Sequence, residues 1–300
     1  MSKCNICPRE CGANRDIKAG YCGEKNDIRV ARIAPHHFEE PVISGTRGSG
    51  TVFFSGCSLG CVFCQNRDIS RRGGAGQIMS ADELYLSILK LADSGVHNIN
   101  LVTSAHFIEQ IIPILERLKS SAEFRIPIVY NSSGYEKEES LKRLEGLVDI
   151  YLPDVKYFSP EIAQKYSCAP DYPQTAFKAV AEMYRQIGKY SFSEKEPDIL
   201  QKGVIVRHLV LPGCRKDSIE VLRTLTEILP KEDILVSIMS QYTPDFAMDC
   251  SHKNLRRRLT RFEYESVTDY AAKLGINGFI QELSSAKKDF TPDFSESNNL

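Results

Sequence analysis

Cys57, Cys61 and Cys64, spaced C-x3-C-x2-C, are the residues of this 300-residue chain best suited to do chemistry. Thiolates at such spacing hold zinc or iron–sulfur clusters. A structural zinc takes four ligands, and no fourth Cys or His follows Cys64 at finger spacing. A four-iron cluster is normally held by four thiolates, so three would leave one iron open to an outside ligand, as a catalytic cluster needs. Gly56 and Gly60 each precede a cysteine of the set, where glycine's tolerance of positive φ suits a closely wrapped loop. Phe63 adds an aromatic ring beside the last thiol.

A second set, Cys4, Cys7, Cys11 and Cys22, sits among the turn-forming residues Pro8, Gly12, Gly20 and Gly23. Four thiolates satisfy a closed structural zinc and equally an auxiliary iron–sulfur cluster. Zinc is preferred because the four ligands close the site and no redox role is evident; free structural cysteines are the third option. Cys168, Cys214 and Cys250 stand alone and read as small buried hydrophobes. The N-terminal MSKCNICPRE has no apolar segment of the signal-peptide kind, and no apolar run is long enough to span a bilayer. A cytoplasmic location is therefore expected, where clustered thiols bind metal more often than they form disulfides. Lys and Arg number 38 against 39 Asp and Glu, so no basic field points to nucleic acid or membrane. A hydrophobic content of 42% is globular and excludes a disordered chain.

Elements must hold these residues in place. From residue 50 onward, short β-rich apolar runs alternate with amphipathic stretches. The pattern predicts strands at 51–55, 98–103, 126–131, 148–153, 203–211 and 235–240, with an extra one at 278–281. Ser80 and Glu83 are spaced as a capping box, with Gly95 as the stop of that helix. Helices are also expected at 106–120 (with Pro113 inside), 136–145, 217–229 and 262–274, and one starting at Ser159-Pro160. The fold class is α/β with a parallel sheet. Six units are fewer than the eight of a closed barrel, so an open or partial barrel fits; a doubly wound sheet gives the same alternation. In either, functional residues collect beyond the strand C-termini. Residues 1–48 lack the alternation and read as a small cysteine-rich metal-binding lobe, 49–284 as the β/α domain and 285–300 as a polar tail.

The string from Cys57 to Cys64, directly after the first expected strand, is similar to the cluster motif of the radical SAM superfamily. Its continuation, Gly60 through Cys61, Val62, Phe63, Cys64, Gln65, Asn66 and Arg67 to Asp68, resembles the pyruvate formate-lyase activating enzyme and related glycyl-radical-enzyme activases. The similarity covers residues 50–281. It implies a partial (β/α)6 TIM-like barrel with a [4Fe-4S] cluster on Cys57, Cys61 and Cys64. S-adenosylmethionine would chelate the fourth iron and be cleaved reductively to a 5′-deoxyadenosyl radical that abstracts hydrogen. By the same resemblance, Phe63 lies beside the cofactor, and Asn131 and Ser132 form a polar loop near the ribose and a monovalent cation. Asp154 would be a ligand of that cation, and Lys156 would pair with the methionyl carboxylate. Both roles suit the residue types: a carboxylate for a hard cation, a point charge for a carboxylate. Arg207 and His208 interrupt an apolar strand on opposite faces. The resemblance directs Arg207 to the cofactor; His208 gets no role.

One departure stands out. The family shows Gly-Gly-Glu after the second strand, contacting the cofactor's amino group; here the strand runs into Thr103, Ser104, Ala105 and His106. The loop Arg71-Arg72-Gly73-Gly74 reads as a lid or linker, and Arg256-Arg257-Arg258 as a solvated helix start. The first expectation for function is glycyl-radical activation of a partner protein, with flavodoxin or ferredoxin supplying electrons. The alternatives are radical modification of a small molecule or peptide, and a non-enzymatic zinc or electron-carrier protein.

Overall fold

The chain is described from a computed structural model covering residues 3–70, 75–247, 251–285 and 294. Cys250, the loop residues Arg71, Arg72, Gly73 and Gly74, and nearly all of the polar tail lie outside the described residues.

The sheet begins earlier than expected from sequence. Ile28–His36 (β1) alternates apolar and polar residues and pairs antiparallel with Ser49–Phe54 (β2). Gln77–Met79 (β3) covers the outer edge of β1. Residues 28–36, placed by sequence in the N-terminal lobe, therefore belong to the sheet. From β2 the sheet is parallel, through Ile99–Val102 (β4), Ile128–Ser132 (β5) and Ile150–Pro153 (β6). A two-residue strand, Ser191–Phe192 (β7), pairs antiparallel with Leu200–Leu209 (β8). Leu235–Met239 (β9) and Gly278–Ile280 (β10) complete the parallel run. The order β10-β9-β8-β6-β5-β4-β2-β1-β3 leaves the sheet open. Six parallel strands at the expected positions and one extra give the partial barrel.

Strands β2, β4, β5, β6 and β9 are buried throughout, as a parallel sheet covered on both faces requires. Alternation divides each strand between two environments. Outward residues such as Ile128, Tyr130, Val204, Val206, Val236 and Ile238 join the main hydrophobic core. They pack beneath Ala81–Asp93, Ile108–Ser120, Tyr172–Ile187 and Arg215–Ile228. Inward residues Val129, Ile150, Leu152, Ile205 and Leu235 close a second cluster around Ile43 of the short helix Pro41–Ser44. Each fully buried side chain of this kind contributes about 1.5–3 kcal/mol.

The expected capping box forms: Ser80 Oγ accepts from the Glu83 N–H, and Glu83 returns the bond. Ser159 caps Pro160–Ser167 through the Ile162 N–H. That crossover holds two helices where sequence marks one start. Pro160–Ser167 ends on Cys168 in the left-handed conformation (φ +53°), and Tyr172–Ile187 begins four residues later. Cys168 is therefore exposed, contrary to the expectation of a buried hydrophobe, because a helix C-terminus at the surface uses its backbone; Cys214 is buried as expected. Pro113 lies inside Ile108–Ser120. No described helix is long and apolar enough to cross a membrane.

Candidate active site

Beyond β2 the chain turns through Ser55 and Gly56 into the cysteine loop. Gly56 has φ +84°, and a Cβ there would lie 2.8 Å from the Cys22 carbonyl oxygen. Only glycine permits this approach, which lets the Cys57 N–H donate to that carbonyl at 3.1 Å. Gly60 carries no such requirement, since an added Cβ would meet nothing nearer than 3.6 Å. Each sulfur of the set has a polar neighbour. Leu59 N–H donates to Cys57 Sγ (3.4 Å), Ser167 O–H to Cys61 Sγ (2.9 Å), and Ser70 Oγ lies 3.3 Å from Cys64 Sγ.

All three thiols, with Phe63, line one cavity of about 220 Å³ at the C-terminal ends of the strands. Burial pushes the Cys57 thiol far above its ordinary value, and the neighbouring Cys61 and Cys64 push it further. Burial likewise raises Cys61 to about 11, although the Lys156 ammonium opposes this. A bound metal centre inverts that penalty, because a coordinating thiol is deprotonated. Among the described residues no group of three Cys, His, Asp or Glu side chains is already drawn to metal-ligand distances. The fit of an iron–sulfur cluster rests on three thiols that line the same cavity.

Another part of the cavity lining is charged. Arg207, on the inward face of β8, donates from Nε to Asp154 Oδ1 (3.0 Å), from Nη2 to Asn131 Oδ1 (2.6 Å) and from Nη1 to Glu39 Oε2 (3.2 Å). Asn131 and Asn100 donate in turn to Glu39 Oε1, at 3.2 and 3.1 Å. The Lys156 ammonium pairs with Asp154 Oδ2. Burial opposes the ionisation of Asp154, yet Arg207 and Lys156 hold its carboxyl below the usual range. Burial raises the Glu39 carboxyl against the pull of Arg207.

Backbone geometry holds this wall. Tyr172 accepts the Lys156 N–H (3.0 Å) and reaches the carbonyls of Ser133 and Asp154, both at 2.8 Å. Gly134, at φ +73°, passes so close that a Cβ would lie 2.2 Å from the Asp154 carbonyl oxygen. Ser132 Oγ donates to the buried Glu136 carboxylate at 2.9 Å, and burial raises Glu136 to about 7. His208 points away from the cavity, with Nδ1 2.7 Å from the Val155 carbonyl. Burial lowers it to about 4, so the ring is neutral and donates.

At the end of β4, Thr103 lines the cavity in a strained left-handed conformation (φ +61°), and Ser104 is buried. His106 packs under the cysteine loop, with Nε2 2.7 Å from the Ser55 carbonyl. The carboxylate in the cavity that sequence did not identify is Glu39, delivered by the turn after β1. The alternation of residues 28–36 was the available signal for the strand that carries it.

Cys4, Cys7, Cys11 and Cys22 come together in the N-terminal lobe. Burial raises the Cys7 thiol to about 11, with Cys22, Cys4 and Cys11 adding to the shift. Cys4 hydrogen-bonds Cys11, and the sulfurs of Cys11 and Cys22 both flank Gly20. Arg9 ties the lobe to the barrel, donating to the carbonyls of Ser58 (2.8 Å), Cys168 (2.5 Å) and Ser167 (3.2 Å).

Residues 51–213, more than half of the chain, match the Radical SAM superfamily. The chain belongs to the radical SAM superfamily. Membership implies a [4Fe-4S] cluster and S-adenosylmethionine, and Cys57, Cys61 and Cys64 are the matched-region thiols that line the cavity. The chain is 29% identical over 284 residues to an uncharacterized protein of Methanocaldococcus jannaschii, covering 92% of this chain and 76% of that one. Among solved structures, the radical SAM fold is shared with SuiB of Streptococcus suis bound to the precursor peptide SuiA. The TM-score is 0.51 at 14% identity, over 77% of this chain and 48% of that one. SuiB bound to S-adenosylmethionine gives 0.50 at 15% identity, over 78% and 50%. The chain thus spans about half the length of SuiB.

Proposed function

We propose that this radical SAM protein is an enzyme of the glycyl-radical-activase type, abstracting hydrogen from the Cα of a glycine in a partner polypeptide. The observation that carries the proposal is one cavity lined both by the three thiols and by the Asp154–Lys156–Arg207–Glu39–Asn131 network. Cys57, Cys61 and Cys64 would hold a [4Fe-4S] cluster, which would supply one electron for the reductive cleavage of S-adenosylmethionine to methionine and a hydrogen-abstracting 5′-deoxyadenosyl radical. Donors from Leu59 and Ser167 reach the sulfurs of Cys57 and Cys61 and temper their negative charge. Phe63, 6% exposed and edge-on to Tyr242, keeps water from that part of the cavity.

Lys156 is the residue to bind the methionyl carboxylate as it leaves Asp154, and Asp154 is then free to take a monovalent cation beside Ser132. Arg207 stays fixed by Glu39 and Asn131 during that exchange and orients the cofactor. Asn131 serves the ribose side. The lobe cysteines Cys4, Cys7, Cys11 and Cys22 would hold a zinc, next to the Cys22 carbonyl that accepts from the Cys57 N–H and so fixes the cysteine loop. An acidic flavodoxin or ferredoxin supplies the electron. A second reading, radical modification of a small molecule or peptide, is favoured by Thr103 and Ser104 standing where activases carry a carboxylate, and by the peptide seen on SuiB.

The test begins with the anaerobic, reduced holoenzyme and S-adenosylmethionine. Formation of 5′-deoxyadenosine and methionine is expected, and its complete absence removes the radical-enzyme reading. A candidate glycyl-radical enzyme is then added. A glycine-centred EPR doublet supports the activase type, and turnover of a small molecule or peptide with no doublet favours the second reading.

A further inference from the structure

The seam of the open barrel, between the turn after β1 and the last strand, holds a second cavity of about 360 Å³. Glu39, Glu40 and Pro41 form one wall; Ser237 of β9 and the β10 segment form the other. It joins the central cavity at Glu39, Arg207 and Met239, which line both.

Glu40 has no role in the chemistry proposed above. The residue is 8% exposed, and its Oε2 has no hydrogen-bond partner, although Ser237 bonds the carboxylate. It precedes the short helix Pro41–Ser44 but makes no side-chain capping bond. The Arg207 charge acts on Glu40 from a distance, but the hydrogen bonds of its guanidinium go to Asp154, Glu39 and Asn131. Three acidic groups, Asp154, Glu39 and Glu40, thus act on Arg207, and Asp154 also pairs with Lys156. A buried carboxylate oxygen left unpaired is costly, and a positively charged donor relieves that cost best.

The occupant is identified by the neighbouring strand. Among the described residues β10 ends the sheet, so one of its edges pairs with no described strand. An extended polypeptide can add to such an edge through main-chain hydrogen bonds. A chain doing so passes the mouth of this cavity, whose wall includes Gly278 and Ile280.

We propose that the seam cavity is a recognition subsite for a Lys or Arg side chain flanking the reacting residue of a polypeptide substrate, with Glu40 as its acceptor. The inference rests on the polypeptide reading of the substrate given above. It is tested with holoenzyme and S-adenosylmethionine against a library of glycine-centred heptapeptides randomised at the flanking positions, bound peptides being identified by mass spectrometry. Enrichment of Lys or Arg at one fixed flanking position is expected. Glu40→Gln should reduce that enrichment about tenfold or more while glycine-centred peptides still bind, and Glu40→Asp should restore part of it. Retention of the melting temperature shows that the variants are folded. Glycine-centred binding without a basic preference, or a preference that survives in Glu40→Gln, overturns the subsite and leaves the activase reading intact. No binding above that of glycine-free peptides overturns both.

Discussion

Cys57, Cys61 and Cys64 line a cavity that charged side chains also line, whereas Cys4, Cys7, Cys11 and Cys22 crowd one another in a lobe of turns. Burial disfavours the thiolate at Cys57 and Cys61 in the first set and at Cys7 and Cys22 in the second, so both environments reward a bound metal. They differ in what surrounds the sulfurs. The first set follows a buried strand and shares its cavity with an Arg, a Lys and two carboxylates, which a purely structural metal would not need. The second supplies four thiols, which suits a closed site, and the charges near them, Arg15 and the Arg29–Glu24 pair, do not line that cavity. A site that does chemistry is marked by the company its ligands keep as much as by the ligands themselves.

The comparison breaks most visibly at the charged wall. Arg207→Ala leaves Glu39 and Asp154 buried without their main partner and should destabilise the protein by about 3–5 kcal/mol in denaturant titrations. An unchanged midpoint would mean that the wall is not held by this ion pair. Gly134→Ala forces a methyl group against the Asp154 carbonyl at positive φ and should cost about 2–4 kcal/mol, with weaker S-adenosylmethionine binding by calorimetry.

Glu136 gives the pH test. Its folded value of about 7 lies above the ordinary carboxyl value, so its contribution is fully present below about pH 4.5 and is lost as pH rises through about 7. Glu136→Gln removes that loss, and the variant should gain about 2 kcal/mol on wild type between pH 5 and pH 8, measured by urea unfolding at each pH. A constant difference between the two proteins would contradict the assignment. The smallest effect probes the contact between the two regions. Arg9→Ala removes bonds from the lobe to three barrel carbonyls and should cost about 1–2 kcal/mol. If the lobe positions the cysteine loop, 5′-deoxyadenosine formation should fall severalfold while the iron content holds.

Much of this arrangement is legible in the sequence, because its strongest signals are local. The three-cysteine spacing lies within eight residues, and the capping box at Ser80 and the Ser159-Pro160 start lie within four. Each parallel strand reads as its own apolar run. What escaped depends on contacts between distant residues. Glu39 bonds Asn100, Asn131 and Arg207 across 61, 92 and 168 residues, and nothing in its neighbours marks it as a site carboxylate. β1 carries a plain alternating pattern, but it lies close to cysteines that suggest a lobe. The break at Cys168 has no Gly to announce its left-handed turn, which cysteine itself adopts; Pro170 and Pro173 were the available signal for the stop and the new start.

The most direct test of the account is the iron, acid-labile sulfide and zinc content of the anaerobically purified protein. It is measured beside a Cys57→Ala/Cys61→Ala/Cys64→Ala variant and a Cys4→Ala/Cys22→Ala variant. The account predicts that the triple variant loses about four irons and all 5′-deoxyadenosine formation while keeping the metal of the lobe. The double variant should lose that lobe metal, about one zinc per chain, and keep its iron. Equal iron in the wild type and the triple variant would contradict the central claim, because Cys57, Cys61 and Cys64 would then hold no cluster.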